Sequence, residues 1–96
     1  MEHFLSDLGS AVLQSDDFFY LISSAGFIKS ACLTLLCINR RFEPSHRAYY
    51  NQVMGLKKLP DSFLSYFENF LKPDPEITME RKFSLAQLIA REIVAL

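Results

Sequence analysis

A chain of 96 residues holds one domain and leaves no room for two, so residues 1–96 are read as a single unit. Half of the residues are hydrophobic, including nine Phe and four Tyr but no Trp, which supplies a core and some apolar surface to spare for a partner. Ten basic against eleven acidic residues leave a net charge of −1, which removes any general electrostatic drive toward nucleic acid.

Glycine is scarce and strict two-residue alternation is absent. Apolar residues recur three and four apart, so the reading is all-α: about five helices in a mostly antiparallel bundle around a long central helix. The first helix is expected over Glu2–Leu13, with Phe4, Leu5, Leu8, Val12 and Leu13 as its stripe. Gly9 weakens it by up to ~1 kcal/mol relative to Ala. Residues 1–15 carry Glu2 and Asp7 but no Lys or Arg, so the basic start of a secretory signal is missing. Ser15 reads as the N-cap of the second helix, with Asp16 and Asp17 in its first turn, where the helix dipole favours negative charge.

The second helix, Asp16–Arg40, is the central one. One face carries Phe18, Leu21, Ile22, Ala25, Ile28, Cys32, Leu35 and Leu36, and the other side carries Phe19, Phe27, Ala31 and Ile38. The stretch from Phe18 to Ile38 is long enough to span a bilayer. It also holds four Ser and Thr residues and, near its middle, Lys29, which costs roughly 2.5–3.5 kcal/mol on insertion. A buried helix in a cytoplasmic bundle, with no membrane partner, is the expectation. Cys32 and Cys37 sit five residues apart and so on different helix faces, which disfavours a disulfide. They read as small core residues of a cytoplasmic protein, and no further Cys or His at regular spacing completes a zinc site.

Pro44 opens a third helix running to Met54, with Gly55 as its C′ residue. Pro60 introduces a fourth over Asp61–Leu71, striped by Phe63, Leu64, Phe67, Phe70 and Leu71. Pro73 and Pro75 make a rigid turn, and a fifth helix follows over Glu76–Leu96 with Phe83, Ala86, Ile89, Ala90, Ile93 and Leu96 inward.

Polar chemistry concentrates between Cys37 and Asn51. Asn39, Arg40, Arg41, His46, Arg47 and Tyr50 gather around one helix-to-helix corner. Two readings stay open. In the first, Asn39 and the two Arg bond the free carbonyls of the second helix, and the rest is solvated. In the second, the guanidinium groups face a phosphate or a partner's carboxylate, which they pair in bidentate fashion. Asp74-Pro75-Glu76 has an acid-x-acid spacing suited to Mg²⁺, yet lies between prolines and reads as a solvated turn. No Ser, Cys and His arrangement resembles a catalytic triad, so no catalytic residue or metal ligand is assigned within the chain.

Two resemblances follow from these residues. The run Leu35-Leu36-Cys37-Ile38-Asn39-Arg40-Arg41-Phe42, then Pro44, His46-Arg47, Tyr49-Tyr50 and later Leu59-Pro60-Asp61, resembles a helical domain found C-terminal to nucleotidyltransferase domains, among uncharacterised relatives of kanamycin nucleotidyltransferase. The likeness covers residue 18 to the end. It implies a non-catalytic accessory domain that packs on a nucleotidyltransferase catalytic domain in the same or a neighbouring chain. It also implies that the domain helps wall the acceptor-substrate site, with the corner facing that neighbour or substrate, and that a homodimer can form. Mg²⁺ and a nucleoside triphosphate would then belong to the catalytic domain, with no cofactor in this chain. The Arg41-x4-His46 spacing resembles the signature of HEPN ribonucleases, which implies an alternative RNA-binding or RNA-cleaving domain with His46 in acid–base chemistry and Arg41 on phosphate. A plain dimerisation module is the third reading.

Overall fold

The first two helices fold back on each other through a two-residue corner. In the computed structural model, α1 spans Glu2–Gln14 and α2 spans Asp17–Ile38. The structure describes residues 1–72 and 76–96, with His46 described by its backbone alone. The turn expected at Pro73 and Pro75, and Asp74 of the acidic triplet, lie outside the described residues.

Ser15 is not the N-cap of α2. It takes a left-handed conformation, φ 53° and ψ 38°, and closes α1 by donating its N–H to Val12 O, while Asp16 N–H donates to Ala11 O. This pair of bonds is a Schellman motif. Asp16 is the N-cap instead: its carboxylate accepts the Phe19 N–H at 3.0 Å. α1 then runs antiparallel along α2, and the ring of Phe4 lies against Gly26. A Cβ at residue 26 would clash with that ring, so glycine is what allows the close crossing. Gly9 has a matching role, with Phe83 of the last helix 3.0 Å from where its Cβ would stand. The helix propensity that Gly9 gives up is exchanged for this packing.

α2 ends at Ile38, two residues earlier than expected, because Arg40 turns left-handed with φ 55°. Arg40 N–H reaches Cys37 O at 3.0 Å and Arg41 N–H reaches Leu36 O at 2.8 Å, a second Schellman motif. An extended segment containing Pro44 follows, so the third helix does not begin at the proline. A single 3₁₀ turn, His46–Ala48, leads into the short helix α3, Tyr49–Met54. Gly55 ends α3 with φ −91°, which uses none of glycine's left-handed freedom. The two left-handed helix ends carry Ser and Arg, and the Gly helix end is ordinary.

α4 spans Phe63–Leu71 and α5 spans Met79–Val94. α5 starts three residues later than expected because Thr78 is its N-cap, accepting the Arg81 N–H at 3.1 Å. Among the described residues the chain is all-α: five α-helices and one 3₁₀ turn, with no strand. The core lies where α1, α2, α4 and α5 meet. Leu8, Phe27, Leu35, Phe63, Ile89 and Ile93 are fully buried there. Each buried Phe contributes about 1.5–3 kcal/mol. Phe27 meets Phe70 edge-on at 5.8 Å, and Phe63 stacks on Phe67 one turn away at 5.0 Å.

α2 is long and apolar enough to cross a membrane, yet it is not buried on all sides, and 33% of its apolar window is covered within the fold. The side that packs inward is Phe27, Ala31 and Leu35. Of the face expected to be core, Cys32, Leu35 and Leu36 are covered, while Phe18 is 73%, Leu21 66% and Ile22 54% exposed. The short helix α3 lines α2 from Ala25 to Cys32 through Tyr49 and Tyr50, and no described element covers Phe18, Leu21 and Ile22. Stripe residues at the edges of other helices also open to solvent, namely Leu13, Leu64, Leu71 and Leu96.

Candidate functional site

Two features lie in sequence along α2. The first is an open apolar cleft of about 450 Å³ between α2, α3 and α4. Ala25, Ile28, Lys29 and Cys32 form its floor, Tyr49 and Tyr50 one wall, and Phe67 and Leu71 the other. Phe18, Leu21, Ile22, Ala25, Ile28 and Cys32 follow the helical spacing of three and four, so the exposed strip and the cleft floor share one face of α2. The rim is polar. Glu43 accepts a hydrogen bond from the Tyr49 hydroxyl and lies 3.9 Å from Lys29 Nζ. The Tyr50 hydroxyl donates to Glu68 at 3.3 Å.

These surroundings tune the titrating groups. Burial pushes the Cys32 thiol up to about 11, so it stays protonated and unreactive at neutral pH. Burial, together with the hydrogen bond and negative charge of Glu43, pushes the Tyr49 hydroxyl up to about 12. Burial and the Glu68 carboxylate also raise Tyr50. Cys37 is exposed, contrary to the expectation that both thiols sit in the core, and both are free. Residue 37 lies on the side of α2 turned away from buried Leu35 and Leu36.

The second feature is the basic corner at the C-terminal end of α2. Its centre is Asn39, whose amide makes three hydrogen bonds. Nδ2 donates to Leu35 O at 2.8 Å and to Lys58 O at 3.0 Å, and Oδ1 accepts the Lys58 N–H at 2.9 Å. Asn39 is therefore a clasp. It caps α2 and pins the loop after α3 to the helix end, as only a side chain with both a donor and an acceptor can do. It faces the fold rather than a ligand.

Arg40, Arg41 and Arg47 are exposed, and none makes an ion pair or side-chain hydrogen bond among the described residues. They do not bond the carbonyls of α2 through their side chains, as the capping reading expected. The turn is closed by backbone N–H groups alone. His46 stands at the start of the 3₁₀ turn, and its side chain lies outside the described residues. Tyr50 belongs to the cleft and not to the corner. The structure thus separates the sequence-predicted cluster into a clasp, a set of free cations and a cleft wall.

Two further residues join the corner, Lys57 and Lys58, which the sequence pattern did not single out. Both are exposed, and the Asn39 clasp holds the Lys58 backbone against the helix end that carries Arg40 and Arg41. Phe42, the next residue in chain, is 97% exposed. A windowed charge count could have found the lysines, since residues 39–58 hold five of the ten basic residues and one of the eleven acidic ones. Among the described residues, no three His, Cys, Asp or Glu side chains group as metal ligands. No family model, curated protein or solved structure matches the chain.

Proposed function

We propose that this chain is a helical accessory domain that works beside a nucleotidyltransferase catalytic domain. The observation that carries the reading is the uncovered half of α2. Phe18, Leu21 and Ile22 stand in solvent at 73%, 66% and 54% exposure and run directly into an apolar cleft. A contiguous strip of this kind on a small domain marks a protein contact. Resemblance of the Asn39-Arg40-Arg41-Phe42 corner to the helical domains of nucleotidyltransferases names the partner. Docked through the strip, the domain would turn its corner, with Arg40, Arg41, His46 and Arg47, toward the acceptor-substrate site. Mg²⁺ and the nucleoside triphosphate would sit in the catalytic domain.

Co-expression with a nucleotidyltransferase domain encoded in the same frame or beside this chain tests the reading. A stable 1:1 complex is expected, and Leu21→Asp or Ile22→Asp should break it while leaving the helical circular dichroism signal of the free chain intact. Failure of the two to associate, or nucleotide transfer by the isolated chain, would overturn the proposal.

A further inference from the structure

The corner that the Asn39 clasp assembles has a chemistry of its own. Phe42 is 97% exposed, so its ring contributes nothing to the core and remains in contact with water. Cations stand near it along the chain or through the clasp: Arg40 and Arg41 directly before it, Arg47 five residues on in the 3₁₀ turn, and Lys57 and Lys58 in the loop whose Lys58 backbone is tied to Asn39. All five are exposed and none is ion-paired among the described residues. Glu43, the one carboxylate in residues 39–58, is already engaged by Lys29 and by the Tyr49 hydroxyl.

We propose that this corner binds single-stranded nucleic acid, with a base stacked on Phe42 and the phosphates on either side met by Arg40, Arg41, Arg47, Lys57 and Lys58. An aromatic ring offered to solvent among unpaired cations is the combination that holds an unpaired strand: the ring takes the base and the cations follow the backbone. A partner's carboxylates would need the cations but not the ring. A lipid surface would need an apolar face rather than one isolated ring, and the apolar strip of α2 lies at the other half of that helix. The net charge of −1 does not oppose this binding, because the basic excess is concentrated in residues 39–58 and the acidic excess lies elsewhere. The inference deepens the accessory-domain reading by naming the ligand class at the same corner. It rests on that reading only for what the corner faces in a complex.

The test is fluorescence anisotropy of labelled ten-nucleotide oligouridylate and oligoadenylate with the 96-residue chain alone, so it can fail or succeed independently of docking. Binding is expected at low salt and should weaken between tenfold and a hundredfold, roughly, when salt rises fourfold. Phe42→Ala should weaken it about tenfold, the loss of one stacked base. Arg40→Gly and Lys57→Ala should each flatten the slope of log affinity against log salt by about 0.7. Arg81→Ala removes the same charge from the exposed face of α5 and should change neither quantity. Circular dichroism checks that each variant keeps its helices. The proposal is overturned if no oligonucleotide binds at low salt, or if Phe42→Ala binds like the parent chain. It is also overturned if Arg81→Ala is as damaging as Lys57→Ala, or if free ATP competes as tightly as the oligonucleotides.

Discussion

The two halves of the α2 stripe that begins at Phe18 differ in fate though not in composition. Phe18, Leu21 and Ile22 in the first half are as apolar as Cys32, Leu35 and Leu36 in the second, and all follow one helical period. The second half is buried in one core cluster with Val53 of α3 and Leu56 of the loop after it, and the first half stays bare to solvent. Periodicity identifies the residues that want a neighbour, and chain geometry decides which of them find one.

The sharpest way to break this comparison is a pair of truncations. Leu35→Ala should cost about 2–5 kcal/mol in urea unfolding, because it opens a cavity in a closed core. Leu21→Ala should stay within about 0.5 kcal/mol, because the side chain is largely in solvent already. Equal costs would mean that the strip is covered in solution. Next in size is Asn39→Ala, which removes three hydrogen bonds and should destabilise the chain by about 1–3 kcal/mol. It should also expose Cys32 to labelling, since the covered half would lose its cover.

Smaller effects sharpen the picture. Ser15→Gly and Arg40→Gly relieve a side chain held at φ 53° and 55°, and each should raise thermal stability by a few tenths to about 1 kcal/mol. Thiol labelling near pH 8 should modify Cys37 quickly and Cys32 only on unfolding. Cys32 and Tyr49 both hold their protons more tightly folded than unfolded. The folded chain therefore binds more protons in the alkaline range, and stability falls as pH rises. That contribution is fully present below the unfolded values of 9.0 and 10.0 and is lost through about 11 and 12. A flat stability profile above pH 9 would contradict the burial of Cys32.

Much of the fold was legible in the residues. The five helices, the Phe63, Phe67 and Phe70 stripe and the Ala86, Ile89 and Ile93 stripe all follow from apolar spacing. The helix ends were harder to read, because Ser15 and Arg40 turn left-handed where no glycine announces it. At the corner, the concentration of polar groups was visible, but their division of labour was not. Asn39 turned inward because Lys58, nineteen residues later, presents a free N–H and C=O to it.

Composition and period by themselves determined that this chain is helical, that it has a core rich in Phe, and that its cations gather after residue 38, because these are properties of neighbouring residues. Tertiary structure alone decided that half of the α2 face stays bare, that the loop of Lys57 and Lys58 is tied to the helix end at Asn39, and that Cys32 is buried while Cys37 is not. Each of those outcomes depends on where a distant segment comes to rest, and loop closure and packing set that position rather than local preference.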